Sequence, residues 1–87
     1  MKIVVWDTYV KRDDGAVMHF DILVPDTLND TPSVFKFGND YLATKTFKTG
    51  PLTANECRKC HIEQATQSMI KAIQQKGYDI IEMENCD

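Results

Sequence analysis

The chain has 87 residues, 43% hydrophobic and 26% charged, with a formal net charge of −3. Its length suits one domain with one core, burying only somewhat above ~60% of the unfolded surface, so a metal staple would add useful stability. The acidic balance, with cations scattered singly or in pairs (Lys11-Arg12, Arg58-Lys59), argues against a nucleic-acid binder. No stretch is long and apolar enough to span a membrane, and Met1 to Val10 reads as a folded strand without a cleavage site. A cytoplasmic location is therefore the expectation.

Lys2 to Val10 is predicted as a strand, with Ile3, Val5, Asp7 and Tyr9 on one face and Val4, Trp6, Thr8 and Val10 on the other. Asp14-Gly15 is a hairpin signal. Ala16 to Val24 is the return strand, with Ala16, Met18, Phe20, Ile22 and Val24 on one face and Val17, His19, Asp21 and Leu23 on the other. Pro25 ends it. Asn29-Asp30-Thr31-Pro32 opens a helix expected from about Pro32 to Thr44, on the spacing of Val34, Phe37, Gly38, Tyr41 and Leu42. Gly38 weakens that helix but can let it lie close to a sheet. Lys45 to Leu52 is loop or one short strand.

Thr53-Ala54-Asn55-Glu56 matches a capping box, which predicts a short helix carrying Cys57 and Cys60 on its first turns. A longer helix follows, with Ala65, Met69, Ala72 and Ile73 inward, and Gly77 stops it. Tyr78 to Met83 closes the fold as a strand before a short tail, Glu84 to Asp87. The order β-β-α-short α-α-β makes residues 1–87 a single α+β domain. In it a small sheet, built on an N-terminal β-hairpin plus a C-terminal strand, carries two main helices on one face.

The residues that suggest chemistry are Glu56-Cys57-Arg58-Lys59-Cys60-His61, a C-x-x-C-H run, with one further cysteine, Cys86, near the end. The run is the attachment signature of a c-type haem, but a strand-rich chain without an export signal does not fit one, so no haem is expected. A metal site is preferred, with zinc as the metal. Zinc takes tetrahedral Cys and His ligands, and Cys57 and Cys60 supply two of them. On a helix Cys60 and His61 point about 100° apart, so Cys86 and one histidine, His19 or His61, are better placed to complete the shell. Asp21 shares a face with His19 and could orient its imidazole. Such a closed set is structural, not catalytic. Thiol redox chemistry by Cys57 and Cys60 is the alternative, since Arg58 and Lys59 favour a thiolate. A third reading is an interaction module whose cysteines are simply packed as small apolar groups. Serine nucleophile motifs and glycine-rich phosphate loops are absent, so the chain is read as leaning away from catalysis, with its partners and oligomeric state open.

Val5-Trp6-Asp7-Thr8-Tyr9-Val10, Asp14-Gly15-Ala16-Val17-Met18-His19-Phe20-Asp21, the C-x-x-C-H run, Gly77-Tyr78 and Met83-Glu84-Asn85-Cys86 together resemble one family of small bacterial proteins. It is the domain of unknown function numbered twenty twenty-four. The likeness runs from the first strand to the tail, and Thr27 to Pro51 is its least distinctive part. The resemblance implies a compact α+β fold in a stand-alone bacterial protein and no particular activity. It sets His19, Cys57, Cys60, His61 and Cys86 as the residues a shared site would use.

Overall fold

Gly15 adopts a left-handed backbone (φ 90°), which a residue without a Cβ does at little strain. Its N–H donates to the Arg12 carbonyl, and the Arg12 N–H donates to Ala16, closing a three-residue hairpin loop. In this computed structural model, which describes all 87 residues, the loop joins β1 (Lys2–Lys11) to β2 (Val17–Pro25). The two run antiparallel in unbroken register, from Ile3 opposite Pro25 to Lys11 opposite Val17. Two further strands, β3 (Cys57–Gln64) and β4 (Asp79–Glu84), extend the sheet on either side in the order β3-β1-β2-β4. The helices are α1 (Thr31–Leu42) and α2 (Gln67–Lys76). No helix is long and apolar enough to cross a membrane.

The α+β class, the hairpin, both main helices and the closing strand agree with the sequence reading. The short helix expected after Thr53 is replaced by a strand. Half of its capping box forms: the Thr53 N–H donates to the Glu56 carboxylate at 2.8 Å, while the Thr53 hydroxyl accepts from the Asn55 N–H and the Glu56 N–H donates to the Thr53 carbonyl. One turn forms, and the chain then enters β3 along the outer edge of β1. An isolated turn is a costly nucleus with one bond to show for it, whereas each residue added to a waiting strand edge gains ladder bonds. Lys45 to Leu52 is loop, touching the hairpin through one isolated bridge between Arg12 and Thr49.

The helices take opposite faces of the sheet, not one. Under α1 lies the larger core: Val4, Val10, Met18, Phe20, Ile22 and Val24 from the central strands, packed against Val34, Tyr41, Leu42 and Leu52. Under α2 the core is small, with Ile3, Val5 and Leu23 meeting Ile73, flanked by Ala65, Met69 and Ile81. Both follow from alternation along β1 and β2, whose two sets of side chains are each partly apolar. Thr66 caps α2 through its hydroxyl, which accepts from the Met69 N–H, and Gly77 (φ 90°) ends it.

Gly38 fits where the expectation put it, at the closest approach of α1 to the sheet. A Cβ there would stand 2.9 Å from Ile22 Cδ1 and closer still to Leu52 Cδ2. Ile22 is fully buried and Leu52 nearly so, so both terminal methyls would have to shift within the core to admit it. Gly38→Ala gains up to ~1 kcal/mol of helix propensity but overpacks this contact by about 1–3 kcal/mol. The expected net result is a loss of roughly 1 kcal/mol in denaturant unfolding, and a stabilised variant would show that α1 has room to lift.

Candidate functional site

Because α2 covers only the end of its face nearest Ile3 and Leu23, the half of the sheet toward the hairpin loop stays open. Strand alternation sends Asp7 and Tyr9 of β1, and His19 and Asp21 of β2, to that open half. The hairpin register sets Asp7 directly opposite Asp21 and Tyr9 directly opposite His19. The Tyr9 and His19 rings stack, with centroids 4.2 Å apart and planes 11° from parallel. The Nε2–H of His19 donates to Asp7 Oδ1 at 2.6 Å, and the same nitrogen lies 3.9 Å from Asp21 Oδ1. These three are the one group of at least three Cys, His, Asp or Glu side chains whose ligand atoms all lie within 4.8 Å of one another.

The electrostatics of this group are uneven. Asp21 is 8% exposed, in the middle of the sheet. Burial pushes its carboxyl above the usual range; the hydrogen bond and charge of Asp7 push the same way, while His19 and His61 pull it back. Arg58 of β3 lies opposite Asp7 on the other side, bringing a cation to the edge of the cluster. The pattern is two carboxylates and one imidazole converging on a partly dry surface, with solvent access from above.

The five residues singled out from the sequence occupy three separate places. Cys57 is 2% exposed on the α1 face, where the Thr8 hydroxyl donates to its sulfur at 3.3 Å and burial raises its thiol. Cys86 is buried in the same core, its thiol near the His19 and Glu84 carbonyls. Cys60 is exposed on β3, where a β-bulge leaves it without a partner on β1. His61 follows it, with Nδ1 3.1 Å from the Cys60 sulfur and Nε2 donating to Glu63 at 2.5 Å. His19 lies on the opposite face from Cys57 and Cys86. The three thiols do not converge, and all are free. The tail is held without them meeting: the Arg12 guanidinium donates to the Asn85 and Asp87 carbonyls, and Asn85 donates to Val17. The placing of Asp7, Tyr9 and Asp21 together around His19 was not expected from the sequence, although one signal was present: counting outward from Asp14-Gly15 pairs position 7 with 21.

The one well-formed concavity, about 340 Å³, lies away from this cluster, between the ends of α1 and α2 and β4. Two of its charges, Lys45 and Glu82, are already paired with each other. The Glu82 carboxylate accepts from the Tyr41 hydroxyl at 2.5 Å and from Lys45 at 2.6 Å, contacts that hold the Glu82 carboxyl below its ordinary range.

Among curated proteins, none matches this chain. The solved NMR structure of protein NE1680 from Nitrosomonas europaea, a structural genomics target, is similar over the full length of both chains, at 40% identity with a TM-score of 0.80. Residues 1–83 match the family described as Domain of unknown function (DUF2024). With nearly its whole length matched, this chain belongs to the DUF2024 family.

Proposed function

We propose that this protein binds a divalent transition-metal ion at Asp7, His19 and Asp21. The observation that carries the reading is the placement of two carboxylates directly opposite each other on the two central strands, with an imidazole nitrogen between them. Aspartate is a poor strand former, and like charges facing across a ladder destabilise it by roughly 0.2–1 kcal/mol. Local rules broken at a central position mark a site kept for chemistry.

The donor set, one nitrogen and two oxygens, suits zinc as well as manganese or iron. It differs from the closed Cys/His zinc site that the sequence suggested, since the three side chains come from one exposed face and leave coordination positions free for water or a small anion. Cys57 and Cys86 then act as packed apolar groups, and a C-x-x-C redox pair finds no support in a buried Cys57 on the far face from the cluster. At 2.6 Å the His19–Asp7 contact is a hydrogen bond. Metal bonds of about 2.0–2.2 Å would replace its proton and part the two ligand atoms to roughly 3 Å. Metal and proton therefore compete, and affinity rises with pH. A second reading is favoured by that same short contact: the Asp7–His19 pair serves as a proton-transfer dyad, with Asp7 orienting the imidazole.

Titration with Mn²⁺ is expected to broaden the NMR signals of Asp7, Tyr9, His19 and Asp21 most strongly, and His19→Ala to weaken Zn²⁺ binding by more than the roughly 10–100-fold that loss of an outer-shell partner costs, while Cys57→Ala leaves it unchanged. Broadening centred on Cys60 and His61, or none at all, would sink the site. A protein that ignores both metals yet keeps the His19–Asp7 hydrogen bond in solution would support the dyad instead.

Asp21→Asn should raise the stability of the metal-free protein at neutral pH by up to about 1 kcal/mol, since it removes a buried charge facing Asp7. The sign follows from a carboxyl raised on folding. Below its folded value the native chain takes up a proton before the unfolded chain does, so the penalty fades as pH falls toward the unfolded value near 4. The variant's advantage in thermal or denaturant unfolding should shrink over that acidic window. An advantage that grows there, or a loss at neutral pH, would contradict the assignment.

A further inference from the structure

β3 ends the sheet on one side, and no other segment bonds to its outer edge. From Arg58 to Gln64 every residue is exposed, so a row of backbone donors and acceptors faces water, a template for one more strand. Two features of the edge point to what fits it. The first is charge order, with Arg58 and Lys59 toward one end and Glu63 toward the other. Consider a second β3 running antiparallel about a two-fold axis between Cys60 and His61. Arg58 then faces Glu63 of the partner subunit, twice by symmetry, and Lys59 faces the partner's Ile62. Parallel pairing in register would instead stack Arg58 on the partner's Arg58.

The second feature is the bulge. A two-fold axis perpendicular to the sheet keeps each face on its own side, so paired residues must come from the same face. In a regular strand positions 58 and 63 point to opposite faces, because side chains alternate. Here the extra residue at Cys60 corrects the phase. Arg58 lies opposite Asp7 and Glu63 opposite Ile3, both on the α2 face; Lys59 lies opposite Trp6 and Ile62 opposite Val4, both on the α1 face. A slip by one, pairing Lys59 with the partner's Glu63, joins opposite faces and is excluded. One register thus satisfies charge and face together.

We infer that β3 is a homodimer edge, joining two copies into one continuous eight-stranded sheet. Ladder hydrogen bonds and two symmetric Arg58–Glu63 ion pairs hold it, and the aliphatic stem of Lys59 covers the partner's Ile62, which is 59% exposed in the single chain. Glu63 keeps its contact to His61 through one oxygen and offers the other. A strand-edge contact falls at the small end of specific interfaces, so association depends on concentration. The inference stands apart from metal binding, since Asp7, His19 and Asp21 all lie on β1 and β2.

Sedimentation equilibrium of the full chain, from micromolar to millimolar concentration, tests this with Arg58→Glu, Glu63→Arg and the double exchange. Both side chains are exposed, and circular dichroism would verify that each variant folds. The wild type is expected to form dimers, each single reversal to weaken them by roughly tenfold or more, and the double exchange to recover affinity to within about threefold. A wild-type monomer at all concentrations overturns the inference. So does a dimer that ignores the single reversals, or one that the double exchange fails to rescue.

Discussion

The register of the β1–β2 ladder is the constraint on which the rest of this molecule depends. It is set at one point, where Gly15 takes a left-handed backbone and closes a three-residue loop. A slip of one residue would turn every side chain of one strand to the other face. Phe20, Ile22 and Val24 would leave the α1 core, and Asp21 would enter it. The apolar set on the α1 face makes that slip prohibitive, since fully burying one such side chain contributes about 1.5–3 kcal/mol. The same register that builds the core therefore also holds Asp7 against Asp21 and stacks Tyr9 on His19. The polar cluster is not arranged by its own interactions, several of which are unfavourable; it is imposed by the packing behind it.

This explains the unequal treatment of the two faces. On the α1 side, the helix, the Leu52 loop, Cys57 and the tail residue Cys86 all close over the sheet. On the other side α2 contributes a single buried residue, Ile73, and stops at Gly77. A domain this small cannot bury much on both faces. The thin face is the place where charged groups can be held half-dry without undermining the fold, and burial there raises the Asp21 carboxyl without isolating it from water.

Much of the fold was legible because its signals are local. Asp14-Gly15 marks the loop, alternation marks both faces of β1 and β2, Pro32 opens α1, and Gly77 closes α2. Residues 53–64 were misread because their local signal is genuine and incomplete. Thr53 and Glu56 do make one of the two capping contacts, but whether one turn grows into a helix is decided by the open edge of β1, about fifty residues away in sequence. The cysteine run was legible as a pattern and illegible as a geometry. On a helix Cys57 and Cys60 share a side; on a bulged strand the first is sealed beneath the sheet and the second stands at the rim. Asp7 and Asp21 were passed over because acidic residues are common, and only the hairpin register makes the pair unusual.

The bulge at Cys60 links the readable and the unreadable parts. Without it, β3 would continue its alternation past Lys59 and send His61 to the α1 face, beneath the sheet, while Ile62 turned toward the polar cluster. One extra residue reverses that phase, so His61 lies beside Val5 on the α2 face, the side on which Asp21 sits, and Ile62 lies beside Val4. Bulges persist where they re-aim side chains next to functional surfaces. This one sets the face on which the second histidine sits and the face on which each charge of the edge is presented. The C-x-x-C-H run is thus best understood as the strand that carries this phase change, with Cys57 ahead of the shift and Cys60 at it.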